Sequence, residues 1–371
     1  MDPNLILDSI YARAVRNKTS FSDLQVKEKI EFVALCTSNR ACVRLLMSCM
    51  LGKIHNPRVD PRNPYTEIGS PDSFSGRTYD ERYLTQFITK HRLPVNPTTA
   101  FLTPTLRNIN APLTVDRELV GRPRCLYAKT LELLDDVAKG RASAEEIFEE
   151  AVRVLLRMRD EKMGRISSLI TALERGAGTL PMSSEAIVTL IAQHLACRNA
   201  SRLPVLIVAA AYQCVGTKIG ERVLPLNGHN SADLQTRSLG DVEICLIDDR
   251  DVVTAYEMKM KRVTQADVDH AVTKIRRAAK HVDNYIFVTT ETIDPIIAKY
   301  AGDHYTKLDG VEIAVLDCVS FLKHFLHFFH RGRSAYLDAY QALVLNEPDS
   351  AVSQSLKEAF LALRQAAESG E

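Results

Sequence analysis

The sequence predicts an α/β fold: a mixed sheet flanked by helices, behind a largely helical N-terminal part. Three features carry that prediction. Between residues 201 and 320, short apolar runs of strand length alternate with runs of helical period. The polar turn Asp248-Asp-Arg-Asp251 separates two of the strand-like runs as a hairpin does. The segment after that hairpin, from Gln265, has helical spacing, and a hairpin feeding a helical crossover produces a mixed sheet with helices on both faces.

The elements follow in order. Residues 1 to about 55 read as helical, because Leu24, Val26, Ile30, Val33 and then Val43, Leu46 and Met50 recur at three- and four-residue steps. Between 56 and 125 prolines punctuate a polar stretch that cannot sustain long helices, yet its Arg, Asn, Tyr and Phe content predicts order. Helices return from about 126 to 200. Ser143 with Glu146 forms a capping-box pattern ahead of Ile147, Phe148, Ala151, Val152, Leu155 and Leu156. A helix over Val205 to Val215, with Pro204 in its first turn, leads into the strands 222–226, 241–247 and 252–259. A helix from Gln265 to His281, a strand 285–289, a helix near 293–301 and a strand 311–316 complete the series. We therefore expect 1–200 to be mainly helical with the Pro-rich segment 56–125, 201–320 to be a core domain, and 321–371 to be a helical extension. The tail from Gln365 has no apolar periodicity and is expected to be disordered.

Composition narrows the function classes. Lys plus Arg number 47 against 46 Asp plus Glu, so an unspecific nucleic-acid binder with a global basic excess is disfavoured. A local basic groove beside an acidic centre remains compatible. No run of about 18 apolar residues is present, and the start Met-Asp-Pro-Asn lacks a signal peptide's basic flank, so a cytoplasmic chain is expected. The eight cysteines show no Cys-x-x-Cys pair and read as reduced, buried thiols. His324, His327 and His330 fall at three-residue steps with no acidic residue near them in sequence. They read as the polar fringe of an aromatic helix rather than as a zinc site.

The chemistry concentrates on the hairpin. Asp241 begins one strand, while Glu257 and Lys259 end the next, and side chains two apart on a strand share a face. Gathered carboxylates repel and lose hydration unless a cation compensates. Asp241 and Glu257 supply hard oxygens suited to Mg²⁺, and a lysine beside the ion can orient or deprotonate a water and offset phosphate charge. Glu243 shares the face of Asp241 and is a weaker candidate as an auxiliary ligand, since solvated strand carboxylates are common.

Gly240-Asp241, fifteen intervening residues and Glu257-Met-Lys259 resemble the PD-(D/E)xK nuclease signature, with Gly in place of the proline. The order helix, three strands, helix, strand also resembles that superfamily's core. Upstream, Asn63-Pro-Tyr-Thr-Glu-Ile-Gly69, Ser75-Gly-Arg-Thr-Tyr-Asp-Glu-Arg82, Asn96-Pro-Thr-Thr-Ala-Phe-Leu-Thr103 and Ser231-Ala-Asp-Leu-Gln-Thr236 resemble type II restriction endonucleases of the SacI-like group. The resemblance implies Asp241 and Glu257 as metal ligands, Lys259 beside the attacking water, and Mg²⁺ as cofactor. It also implies site-specific hydrolysis of double-stranded DNA to 5′-phosphate and 3′-hydroxyl ends. A homodimer on a palindromic site and a cognate DNA methyltransferase in the same cell belong with it.

Candidates for DNA contact are Arg62, Arg77, Asp80, Arg107, Asn108 and Asn110 in the Pro-rich segment, with Asn230, Gln235, Arg237 and Lys261 nearer the hairpin. Further basic residues, Arg262, Lys274, Arg276, Arg277, Lys280 and His281, follow Lys261. Each taken singly is more often a loop-stabilising or solvated residue than a reader of bases. Two other functions fit the same core: a repair, junction-resolving or mobile-element nuclease, and a non-cleaving DNA-binding module. Cut-site mapping separates the first, and the intact Asp241, Glu257 and Lys259 set argues against the second.

Overall fold

A computed structural model of the chain describes residues 2–16, 23–96, 98–176, 181–226, 238–249, 251–278 and 282–369. It divides into two compact units, Met1–Gly164 and Arg165–Glu371, and the division falls inside one long helix. No helix among the described residues is long and apolar enough to cross a membrane.

The first unit is helical, with α1 (Pro3–Arg16), α2 (Leu24–Leu35), α3 (Ala41–His55), α4 (Gly76–Tyr79), α5 (Thr85–Lys90), α6 (Arg124–Ala138) and the start of α7 (Ala144–Gly176). Its axis is α3, buried without interruption from Ala41 to Gly52. A helix buried on every side belongs at the centre of a core, and α2 and α6 pack against this one. The Pro-rich stretch is ordered, as expected. Its longest helical piece joins α4 to α5 through a π-turn over Asp80–Leu84, and a Cβ on Gly52 would meet the Phe74 ring at 2.5 Å.

The second unit holds the remainder of α7, then α8 (Ser184–Leu195), α9 (Leu203–Ile219), β1 (Glu221–Val223), β2 (Val242–Leu246), β3 (Val252–Lys259), α10 (Gln265–Arg277), β4 (Asn284–Thr289), α11 (Pro295–Gly302), β5 (Glu312–Asp317), α12 (Cys318–Phe328), α13 (Arg333–Asn346) and α14 (Gln354–Ser369). The five strands form one sheet in sequence order. β1–β2 and β2–β3 are antiparallel, whereas β3–β4 and β4–β5 are parallel. This is the mixed sheet that the hairpin and crossover predict.

Alternation along the strands gives the sheet two apolar faces. Val242, Ile244, Tyr256 and Val288 join a core with α8, α9 and the C-terminal helices. Ala255, Tyr285, Phe287 and Ile313 face the other way, onto Val268, Ala271, Val272 and Ile275 of α10. The helices after residue 320 thus share one core with α8 and α9. The tail is a correction: α14 continues to Ser369 rather than becoming disordered after Gln365. Its last turns are held by Arg364, which pairs with Glu368 at 2.7 Å and Asp338 at 3.0 Å, and by Ala367 against the core.

Candidate active site

The antiparallel register pairs Val242 with Tyr256 and Glu243 with Ala255, so the next step outward places Asp241 opposite Glu257. Residues 241, 243, 255, 257 and 259 therefore lie on one face of the hairpin, the face that α10 covers. The parallel register of β3 with β4 adds Tyr285 and Thr289 to the same face.

The segment entering β2 is tied down at several points. Leu239 donates its backbone N–H to Glu243 Oε1 at 2.6 Å, and the Ser238 hydroxyl donates to the Gly240 carbonyl at 2.7 Å. Asp241 Oδ2 accepts the Met258 backbone N–H at 2.8 Å, which fixes the carboxylate against β3. A Cβ on Gly240 would stand 2.5 Å from the Tyr256 carbonyl oxygen. The glycine at this position is thus dictated by close backbone approach, and a proline ring has no room there. Glu243 holds the lead-in to Asp241 through Oε1, on the same sheet face as Asp241.

Charges then alternate across the face. Lys259 Nζ lies 3.3 Å from Glu257 Oε1 and 3.1 Å from Asp267 Oδ1. Lys274 Nζ lies 3.3 Å from Glu257 Oε2 and 3.5 Å from the Leu239 carbonyl. The Tyr285 hydroxyl donates to Glu257 Oε2 at 3.3 Å. Asp267 and Lys274 stand seven residues apart on α10, two turns along one stripe, so the returning helix lays both over β3. Asp267 also closes the capping box with Thr264, accepting the Thr264 N–H at 2.9 Å and hydroxyl at 2.6 Å.

Burial alone would lower the Lys259 pKa, but Glu257 and Asp267 outweigh it and hold the value above the ordinary lysine range. Burial likewise would raise the Asp267 carboxyl. The Thr264 hydrogen bonds and Lys259 pull it below the usual carboxylate range. The side chains of Glu257, Lys259, Asp267 and Lys274 retain 12–27% exposure, so the cluster is open to a ligand.

Two carboxylates from adjacent strands, within a cationic surround, fit an ion that takes few protein oxygens and keeps its waters, as Mg²⁺ does. No group of three or more His, Cys, Asp or Glu among the described residues is placed to hold a metal. His327 does find an acid, Glu185 of α8, at 2.8 Å, but both are exposed and Lys323 shares the carboxylate. The acidic partner missing from the local sequence is thus supplied by a distant helix, as a surface ion pair.

The other expected contacts divide. Asp80 is corrected: it is fully buried, with its carboxylate engaged by Arg44, the Thr99 hydroxyl at 2.7 Å and the Ala100 N–H at 2.9 Å. No DNA can reach it. Arg62 is partly buried and tied to Asp60 at 2.7 Å and Asp135 at 3.0 Å, a brace of the first unit. Arg77, Arg107, Asn108 and Asn110 are exposed, Arg77 beside Glu81 at 2.8 Å and Asn110 in the left-handed region at φ 43°. Lys261 and Arg262 are exposed directly after β3. Asn230, Gln235, Arg237, Lys280 and His281 lie outside the described residues. Of the cysteines, all free, Cys42, Cys49, Cys245 and Cys318 are buried as expected, whereas Cys125 is exposed.

Sequence reasoning missed the roles of Asp267, Lys274 and Tyr285. The Thr264-x-x-Asp267 cap is a visible signal for the first. The other two need the phase of α10 and the register of β4.

Residues 183–291 match the family described as SacI restriction endonuclease C-terminal domain. The matched segment runs from the start of α8 past β4 and contains Asp241, Glu257, Lys259, Asp267, Lys274 and Tyr285. Over this segment the chain is similar to type II restriction endonucleases of the SacI-like group, a class of DNA nucleases. No curated protein matches the sequence.

Proposed function

We propose that the protein is a Mg²⁺-dependent, site-specific endonuclease of double-stranded DNA, acting as a type II restriction enzyme on a PD-(D/E)xK core at about 201–320. The observation that carries this is the convergence of Asp241, Glu257 and Lys259, still partly exposed, on one sheet face within a segment similar to a restriction endonuclease domain. Asp241 and Glu257 would hold the ion, which when bound would supply positive charge to the scissile phosphate and polarise water. Asp241 is kept in aim by the Met258 N–H, and Glu257 by the groups around its two oxygens. Lys259, held between Glu257 and Asp267, orients the water and offsets charge on the phosphate. Attack by this water opposite the 3′ oxygen forms the new P–O bond and breaks the P–O3′ bond; solvent takes the proton that the water sheds and returns one to the departing oxygen, leaving 5′-phosphate and 3′-hydroxyl ends.

Lys261 and Arg262 supply phosphate contacts beside the site. Arg77, Arg107, Asn108 and Asn110 are the remaining described candidates for readout in the 56–125 segment, with Asn230, Gln235 and Arg237 as further contacts. A symmetric homodimer would cut both strands of a palindrome, and a cognate methyltransferase would protect the host's own copies in the cytoplasm.

The test is incubation of the purified protein with long unmethylated DNA, in Mg²⁺ and in EDTA, followed by sequencing of the ends. Discrete fragments with one shared end sequence, appearing in Mg²⁺ alone, support the proposal. A smear, or cutting confined to forks and junctions, replaces it with an unspecific or structure-directed nuclease. Intact DNA of every form replaces it with a non-cleaving binder.

A further inference from the structure

Glu257 faces an ammonium group at each oxygen: Lys259 at Oε1 and Lys274 at Oε2, both at 3.3 Å. The two lysines differ in what else holds them. Lys259 follows Glu257 on β3 and is anchored by Asp267. Lys274 reaches down from α10, and its Nζ also approaches the carbonyl of Leu239, two residues before Asp241. Lys274 therefore links the end of β3 to the segment that leads into Asp241, beside the oxygens that a divalent cation would draw on. Its side chain is 12% exposed, so this is a built position and not a solvated surface contact.

An ammonium ion and a divalent cation want the same partners, hard oxygens, and repel each other at close range. Both cannot hold Glu257 Oε2. We propose that Lys274 is an internal cation that competes with the divalent ion for Glu257. It keeps the two acidic positions together before the ion arrives and withdraws on its four-carbon stem when the ion binds. The inference rests on the reading of Asp241 and Glu257 as the ion's ligands. It assigns Lys274 a positioning role, distinct from that of Lys259.

Mn²⁺ binding to the full-length protein without DNA tests this, read from the paramagnetic signal of the free ion and from titration calorimetry. Lys274→Met keeps the length of the side chain and removes its charge. It should bind Mn²⁺ at least about tenfold more tightly than wild type, less than the full effect of a unit charge held a few ångström away because Lys274 withdraws as the ion binds. Lys274→Arg, which restores the charge, should return the affinity to the wild-type value, and Glu257→Gln should abolish binding at this site. Far-UV circular dichroism and the unfolding midpoint establish that each variant is folded. If Lys274→Met does not fold, Lys274→Gln gives the same reading. Unchanged or weaker Mn²⁺ affinity in the neutral variants, with Glu257→Gln still abolishing binding, overturns the role of Lys274 and leaves the metal site standing. Mn²⁺ binding that Glu257→Gln does not alter overturns both.

Discussion

The two units each contain a knot of opposite charges, and the knots are built to different ends. In the first unit Arg44 and Asp80 are fully buried. Every guanidinium nitrogen has a partner, in Asp80, the Asn96 carbonyl and the Thr85 hydroxyl, and both Asp80 oxygens accept. In the second unit Glu257, Lys259, Asp267 and Lys274 keep part of each side chain open, and two ammonium groups crowd one carboxylate. A closed, saturated pair braces a fold and leaves no room for a ligand. An open cluster whose charges share partners can exchange them for an ion and a phosphate. Burial and saturation, rather than the presence of charge, distinguish architecture from site.

The comparison is broken most severely by substitution in the open cluster. Asp241→Ala, Glu257→Ala and Lys259→Ala should each slow single-turnover DNA cleavage on the order of 10³-fold or more, with the unfolding midpoint little changed. The reverse pattern is expected in the closed pair. Arg44→Ala leaves the Asp80 carboxylate buried without a countercharge and should remove about 3–5 kcal/mol of stability in urea unfolding. An Arg44→Met, Asp80→Leu double variant should recover most of that, because it removes both buried charges together.

A buried group in the second unit sharpens the contrast through pH. Burial lowers the His194 pKa to about 4, and the ring sits between the Tyr340 hydroxyl and the Leu356 carbonyl, each at 3.0 Å. The unfolded chain takes up a proton near the ordinary value of about 6.5, so it gains protons before the folded state does. Stability should therefore fall by roughly 2–3 kcal/mol as pH drops from about 6.5 to 4. His194→Gln should flatten that part of the stability curve.

Smaller effects follow at the edges of the site. Gly240→Ala forces a Cβ toward the Tyr256 carbonyl and should destabilise by about 1–3 kcal/mol. Its cleavage rate should fall by more than that loss of folded protein explains, because Asp241 moves with the backbone. Arg77→Ala should change stability by less than about 0.5 kcal/mol, since its pair with Glu81 is exposed. If Arg77 touches phosphate, the variant's DNA-binding affinity should fall with salt less steeply, by about one unit of log–log slope.

Much of the second unit was legible in the sequence. Period-2 apolar runs, the Asp248–Asp251 turn and the helical spacing from Gln265 locate β2, β3 and α10 to within a few residues. Asp241 at the start of one hairpin strand and Glu257 at the end of the next also put the two acids at the same end of the hairpin. What could not be read depends on contacts far apart in the chain. Asp80 sits among prolines and polar residues that resemble an exposed loop, and only the arrival of Arg44 from α3 buries it. The pairing of Lys274 with Glu257 requires the rotation of α10 over the sheet, which the basic pattern of that helix does not specify. The last turns of α14 draw their order from Asp338 and the core, partners invisible to the local periodicity.

The central claim, that the open cluster is the catalytic centre, is tested most directly by one comparison. Wild-type protein and Glu257→Gln, shown to have the same unfolding midpoint, are given the same linear DNA and Mg²⁺, and the initial cleavage rates are measured. Defined fragments are expected from the wild type, and from the variant a rate lower on the order of 10³-fold or more. Equal cleavage by the two proteins would contradict the claim, and the active site would have to be sought elsewhere in the chain.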